Sequence, residues 1–194
     1  KATASFLTKH MRAFCFNEMG TGKTASAIWA ADYLLKQGFA TRVLVVCPVS
    51  IMDSAWRSDL FTFAMHRTVD IAYGPRAKRE KIINGGAEFI ITNYDGIRGH
   101  SDLYEAGKFD IIIVDEASHY KNANTNRFKA LSKIIRDDVW VWLMTGTPAA
   151  QSPEDAHGLA RIVNPEKMPR SSARWRDMVM VKVGRFKYEP RPGY

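Results

Sequence analysis

The chain has 194 residues, 46% of them hydrophobic and 25% charged, which suits a globular protein with room for a substantial core. Its longest apolar runs, residues 43–47, 111–114 and 139–144, are strand-sized. No membrane-spanning helix is therefore expected, and the mixed, polar N-terminus does not read as a secretory leader. Formal net charge is +8, and residues 161–194 carry +6 of it, from nine Lys/Arg against three acids. Such a basic stretch fits a polyanionic partner or a solvated face, and charge alone does not separate the two. Cys15 and Cys47 each fall within a predicted strand with no ligand cluster nearby. They read as small buried hydrophobes of a reducing, cytoplasmic compartment. A first residue of Lys1 rather than Met suggests a piece of a longer protein.

Taken in order, a short apolar run at residues 13–16 leads into Asn17-Glu18-Met19-Gly20-Thr21-Gly22-Lys23-Thr24. A helical pattern follows, with Ile28, Ala31, Leu34 and Leu35 on one face. A strand, a glycine-rich turn and Lys-Thr at a helix start is the layout of a phosphate-binding loop. Glycines let backbone N–H groups converge on an anion, the helix N-terminus adds positive potential, and Lys23 adds a full charge. Thr24 is then placed to offer its hydroxyl to a nucleotide-borne Mg²⁺. Asn17 stands where the general pattern has Gly, and G-x-G-K-T also fits an ordinary turn at a helix start. A second element is needed.

Beyond Gly38, a helix-ending residue, residues 42–47 form an almost continuous apolar run ending in Pro48. Runs of that kind belong to strands covered on both faces, as in a parallel sheet. Residues 50–65 read as a helix with Met52, Ala55, Trp56, Leu60 and Phe63 on its apolar side. A strand at 68–73, a basic surface helix at 75–83 and a strand at 88–92 come next, the last two separated by Gly85-Gly86. Residues 93–108 are irregular, with Gly96, Gly99 and Gly107 around a short helical piece. The strand at 109–114 ends in Asp115-Glu116. A helix at 124–136 carries Phe128, Leu131, Ile134 and Ile135, and a strand at 139–144 runs into Thr145-Gly146-Thr147-Pro148. Ser152-Pro153-Glu154-Asp155 reads as the start of a helix reaching about residue 163. This alternation predicts an α/β three-layer sandwich with a mostly parallel central sheet and its ligand at the C-terminal strand ends.

Asp115-Glu116 is the second element. An Asp at a strand tip can hold Mg²⁺, and a neighbouring Glu can take a proton from an attacking water. Together with the glycine loop, the pair points to ATP hydrolysis.

These strings resemble motifs I, II and III of superfamily 2 helicases. The match is with Asn17 to Thr24, Asp115-Glu116-Ala117-Ser118-His119-Tyr120-Lys121-Asn122, and Leu143-Met144-Thr145-Gly146-Thr147-Pro148. They look most like the Swi/Snf-type DNA translocases, of bacterial or viral type. Val45-Val46-Cys47-Pro48-Val49-Ser50, with Trp56 beyond it, resembles that family's motif Ia, and Ile91-Thr92-Asn93-Tyr94 occupies the place of its next nucleic-acid motif. The resemblance implies a RecA-like P-loop fold, the first of two such lobes, over residues 1–165. Residues 166–194 would be a basic extension leading to or docking on the second lobe. Met19, Gly20, Thr21, Gly22, Lys23 and Thr24 would hold the phosphates of ATP, and Thr24 and Asp115 its Mg²⁺. Lys23, Asp115 and Glu116 would be the catalytic residues. Thr145, Gly146 and Thr147 would relay nucleotide state, and Pro48, Ser50, Asn93, Tyr94, Lys121 and Asn122 would meet nucleic acid, foremost double-stranded DNA.

The chain departs from the family's forms at Asn17 (usually Asp), at Ser118 (usually His) and in Ala-Ala-Gln-Ser-Pro after motif III. The upstream motif that reads adenine is not seen. Outside the resemblance, Trp56 reads first as a core anchor and second as a base-stacking platform, while Tyr94 fits nucleic-acid contact or the covering of a sheet end. A small-molecule P-loop kinase and a nucleic-acid-binding module with a relic ATP site are the rival functions. Thr-Gly-Thr-Pro and the motif Ia match speak against the first. Intact Lys23, Thr24, Asp115 and Glu116 speak against the second.

Overall fold

The computed structural model describes residues 1–16, 20–146, 153–185 and 187–192. Its centre is a six-stranded, wholly parallel sheet in the order β1-β6-β5-β2-β4-β3. The strands are β1 (Arg12–Cys15), β2 (Val43–Cys47), β3 (Val69–Ile71), β4 (Phe89–Asn93), β5 (Ile111–Val114) and β6 (Trp140–Met144). Every residue of β2, β4 and β5 is buried, as near-continuous apolar runs require when helices cover both faces of a sheet.

Side-chain alternation along β2 divides the interior into two cores. Val43, Val45 and Cys47 point into one with Ala27, Ile28, Ala31, Leu34, Trp56 and Leu60, so α2 (Lys23–Lys36) and α3 (Ser58–Phe63) cover that face. Leu44 and Val46 point into the other. That core is closed by α4 (Arg76–Ile83), α5 (Tyr94–Gly99), α6 (Ser101–Ala106), α7 (Asn126–Ile134) and α8 (Ala156–Val163). The buried face of α2 is largely alanine, which lets this helix lie close against the strands. This is the three-layer α/β arrangement that the strand–helix alternation predicts.

The structure differs from the sequence reading in four places. A short helix, α1 (Ala2–Leu7), precedes β1 and packs on α2. The single helix expected at 50–65 is three pieces: a 3₁₀ turn (Val49–Ile51), a π-helical turn (Met52–Arg57) and α3. The irregular stretch after β4 is two short helices, α5 and α6, broken at His100. The basic helix α4 is not wholly a surface element, because Arg79 is buried beneath it.

After α8 the chain turns back. A further helix, α9 (Ser172–Val179), is capped by the Ser171 hydroxyl and is followed by a two-stranded antiparallel ribbon, β7 (Met180–Lys182) and β8 (Tyr188–Pro190). The Trp175 indole N–H donates to the Pro153 carbonyl at 3.2 Å, and the His157 ring bonds the Pro169 carbonyl at 2.7 Å. Arg161 lies over the Phe128 ring at 5.3 Å, so one of the basic residues of this stretch covers the α7 side of the core. The helix start expected at Ser152 lies partly outside the described residues; Pro153–Asp155 is a 3₁₀ turn leading into α8.

Gly158 is where α8 meets the segment after β5. Its N–H donates to the Lys121 carbonyl at 3.0 Å, and a Cβ there would lie 2.2 Å from that oxygen. Replacing Gly158 by Ala forces backbone apart from backbone. The Gly158→Ala chain is expected to lose about 1–3 kcal/mol of stability, measured by denaturant unfolding.

Candidate functional site

At the C-terminal edge of the sheet, β1 and β5 stand either side of β6. Cys15 pairs with Met144 and Leu143 pairs with Val114, so the tips of the three strands are level to within one residue. With strands spaced about 4.8 Å apart, the segments leaving β1 and β5 begin roughly 10 Å from each other. That is the distance over which a glycine loop and an acidic pair can share one phosphorylated ligand.

Gly20 and Gly22 take φ of +78° and +76°, conformations open to glycine and strained for other residues. Gly22 is the N-cap of α2, with no side-chain cap bond, and the first turn of that helix holds no acidic residue. The N–H groups there, together with the helix potential, make an anion-receptive end. Nothing lies within 4 Å of where a Cβ would project from either glycine, so the loop faces open space. Lys23 is buried in the first turn and Thr24 half-buried beside it. Met19 lies outside the described residues.

Asp115 is the more constrained partner. It is buried; its Oδ2 accepts the Trp56 indole N–H at 2.9 Å and its Oδ1 accepts the Glu116 backbone N–H at 2.9 Å. Its carbonyl accepts the Tyr94 hydroxyl at 2.7 Å. Glu116 follows in the left-handed region (φ 47°, ψ 51°), which costs a non-glycine residue on the order of 1 kcal/mol or more. That turn presents a half-buried carboxyl group at the strand tip rather than continuing the strand. The Cys15 thiol, at the end of β1, registers both groups: burial pushes its pKa up, the Lys23 charge lowers it and the Asp115 charge raises it. Lys23 and Asp115 thus share one electrostatic neighbourhood.

Thr145 closes the gap at the tip of β6. It is fully buried, with its N–H donating to the Cys15 carbonyl at 3.2 Å, and Gly146 beyond it is exposed. Thr147 lies outside the described residues.

The expected nucleic-acid residues fall into two groups. Pro48 is half-buried and Ser50 exposed in the turn after β2, and Lys121 and Asn122 are exposed after the 3₁₀ turn Ala117–Tyr120. Lys121 forms an ion pair with Asp155 at 3.2 Å, and the Asn122 side chain accepts the Asn124 N–H at 2.9 Å. The Asn93 and Tyr94 side chains are instead buried, each with a partner inside the protein. Asn93 Oδ1 accepts from Arg79 Nη2 at 3.2 Å, and the Tyr94 hydroxyl is committed to Asp115.

Three roles at this edge are not read from sequence, although Trp56 and Tyr94 are both singled out there. Trp56 is an anchor, as its type suggests, but its polar handle reaches the site carboxylate. A buried indole N–H requires a partner, and that requirement was the available signal. Tyr94 poses the same question through its hydroxyl. Arg79, buried and bonded to Thr92 Oγ1 (3.1 Å), the Tyr104 hydroxyl (3.0 Å) and Asn93, carried no signal beyond its place in a basic helix.

Glycines open to solvent, an uncapped helix end, a cation and an oriented carboxylate with a free lone pair on each oxygen fit Mg²⁺ and a nucleotide phosphate tail. Among the described residues there is no group of three or more His/Cys/Asp/Glu able to hold a metal ion. No helix among them is long and apolar enough to cross a membrane.

Burial also raises the Cys47 thiol far above its ordinary 9.0, with Asp115 adding to the effect. A raised folded-state pKa means that the stabilising contribution is complete below the unfolded value and declines as pH climbs. The chain is therefore expected to lose stability from about pH 9 upward, as read by thermal melts. Cys47→Ala should flatten that decline, and thiol reagents at pH 8 should leave Cys15 and Cys47 unmodified until the chain unfolds.

Comparisons with known proteins bear on the family and the fold. The SNF2-related domain model matches residues 7–185. A SWI/SNF-related matrix-associated actin-dependent regulator of chromatin subfamily A-like protein 1 from Xenopus tropicalis is 29% identical over 167 residues, covering 84% of this chain and 17% of that protein. An uncharacterized ATP-dependent helicase of Mycoplasma pneumoniae is 31% identical over 137 residues, 68% of this chain and 13% of its own. The solved Sulfolobus solfataricus SWI2/SNF2 ATPase core in complex with dsDNA superposes with a TM-score of 0.78 at 25% identity, over 91% of this chain and 36% of that one. The chain thus spans well under half the length of each of these relatives, and shares the RecA-like α/β fold of the SWI2/SNF2 core. With the family model matched over nearly its whole length, the chain belongs to the SNF2-related domain family.

Proposed function

We propose that the chain is the ATP-binding lobe of a nucleic-acid-dependent ATPase that moves on double-stranded DNA, and that a second RecA-like lobe completes it. The observation that carries this reading is that β1 and β5 flank β6 and end within a residue of level, so the segment bearing Gly20, Gly22, Lys23 and Thr24 and the segment bearing Asp115 and Glu116 leave the sheet at one edge. Membership of the SNF2-related family supports it, as do a relative named as an ATP-dependent helicase and a structural neighbour solved with dsDNA.

On this reading the loop N–H groups of residues 20–24 receive phosphate oxygens, and Lys23 neutralises charge that builds on them during transfer. When bound, Mg²⁺ screens the phosphates from one another, and Thr24 and Asp115 are the residues that hold it. Glu116, turned out of strand geometry, takes the proton of the attacking water. Thr145, bonded through its N–H to the end of β1 and lying beside the tip of β5, is placed to sense both sides. Pro48, Ser50, Lys121 and Asn122 supply the exposed face toward nucleic acid, and the basic residues of 166–194 add sequence-independent attraction.

Arginines from a second lobe would complete the transition-state charge balance, so the 194-residue chain alone is expected to bind Mg·ATP weakly and turn it over very slowly. In a protein carrying both lobes, turnover should rise with duplex DNA. Lys23→Ala should cut it by about a hundredfold or more, and Glu116→Gln should abolish it while sparing ATP binding. Turnover indifferent to duplex DNA, single-stranded DNA and RNA alike would sink the motor reading and favour a small-molecule kinase.

A further inference from the structure

Two of the three bonds that fix Asp115 come from the two loops that the family resemblance assigns to nucleic acid. The first is the turn after β2. It carries Pro48 and Ser50, then passes through the π-helical turn Met52–Arg57, on which Trp56 is completely buried. A π-helical turn is a rare, poorly bonded geometry that recurs at functional sites. Here it holds the indole whose N–H meets Asp115 Oδ2 at 2.9 Å. The second loop follows β4. Asn93 is held by the buried Arg79, and Tyr94 next to it sends its hydroxyl to the Asp115 carbonyl at 2.7 Å. The Tyr94 ring contacts those of His119, at 4.7 Å, and Tyr120, at 5.6 Å, with the Arg127 guanidinium 5.3 Å from its centroid.

We infer that Trp56 and Tyr94 are positioning residues for Asp115, through which the loops after β2 and β4 set the orientation of the metal-holding carboxylate; this rests on the phosphate-site reading above. A carboxylate free to rotate about its terminal torsion spends part of its time turned away from a metal. Here one oxygen is fixed by the Trp56 indole and the other by the Glu116 N–H, so the remaining lone pairs have set directions. The Tyr94 bond fixes the backbone that bears them. Displacement of either loop therefore turns or shifts Asp115. Outer partners of this kind are worth about 10–100-fold in metal affinity at sites where they have been removed.

The test is metal dependence in the 194-residue chain. A fluorescent ADP analogue is titrated with Mg²⁺ in the unmodified protein, in Trp56→Phe and in Tyr94→Phe. Trp56→Phe keeps an aromatic ring and removes the donor; Tyr94→Phe removes only a hydroxyl. The inference expects apparent Mg²⁺ affinity to fall about 10–100-fold in Trp56→Phe and less, in the same direction, in Tyr94→Phe, with metal-free nucleotide affinity unchanged. A purely packing role predicts lower melting temperatures with Mg²⁺ dependence within about twofold of the unmodified chain, and that result overturns the inference. Should Trp56→Phe fail to fold, the Trp56 indole ¹⁵N–¹H resonance of the unmodified chain, found by its response to Asp115→Asn, decides. It must also move when Mg²⁺ and nucleotide are added, and a resonance indifferent to both overturns the inference. If the unmodified chain shows no Mg²⁺-dependent nucleotide binding, the phosphate-site reading fails first and the inference falls with it.

Discussion

In-register parallel pairing brings the last residues of β1, β6 and β5 to within one residue of level, and the geometry of the whole edge follows from that alignment. Register in turn is held by the two cores. Val43, Val45 and Cys47 belong to one face and Leu44 and Val46 to the other, so a slip of one residue would exchange the contents of both cores. That exchange would set the side chains of β2 against the wrong helices on both sides, which two close-packed cores do not permit. The apolar runs of this chain thus do more than stabilise it. They fix how far the glycine loop stands from the acidic pair.

Polar groups refine what the cores set coarsely. The C-terminal edge holds a buried arginine, Arg79, bonded to carbonyl, hydroxyl and amide oxygens, and a buried aspartate bonded to an indole and a backbone N–H. Each such group would be costly if left unsatisfied, so each selects one arrangement of the loops around it. Burial disfavours ionisation of the Tyr94 hydroxyl, and the charge of Asp115 adds to that, so the donor toward the Asp115 carbonyl is kept. Stability, loop placement and the direction of the site carboxylate are here one set of interactions. Changes to Trp56 or Tyr94 are therefore expected to reach the Asp115 carboxylate as well as the core.

Much of this was legible in sequence because the signals were periodic or compositional. Unbroken apolar runs marked β2, β5 and β6 as doubly covered, and the Ile28, Ala31, Leu34 spacing marked α2. Gly20 and Gly22 marked a backbone that other residues would strain, and strand-end acids marked the opposite side of the gap. The parts that stayed hidden depend on long-range partners. Nothing local announces α1, whose one deeply buried side chain is Leu7. Period alone cannot tell a π-helical turn from an α-helix across residues 52–57, since the same apolar side chains serve both. Arg79 looks like a surface residue until β3 and β4 close over it. Asn93 and Tyr94 sit where a motif match places nucleic-acid contacts, yet the packed end of β4 turns both side chains inward.

If the glycine loop after β1 and the carboxylate after β5 grip one Mg-bound nucleotide, a crystal structure of this chain with Mg²⁺ and a non-hydrolysable ATP analogue will show it. Phosphate oxygens are expected on the N–H groups of residues 20–24, with the metal between the Thr24 hydroxyl and the Asp115 carboxylate. A nucleotide seated away from this edge, or a metal ion that Asp115 does not approach, would contradict this reading.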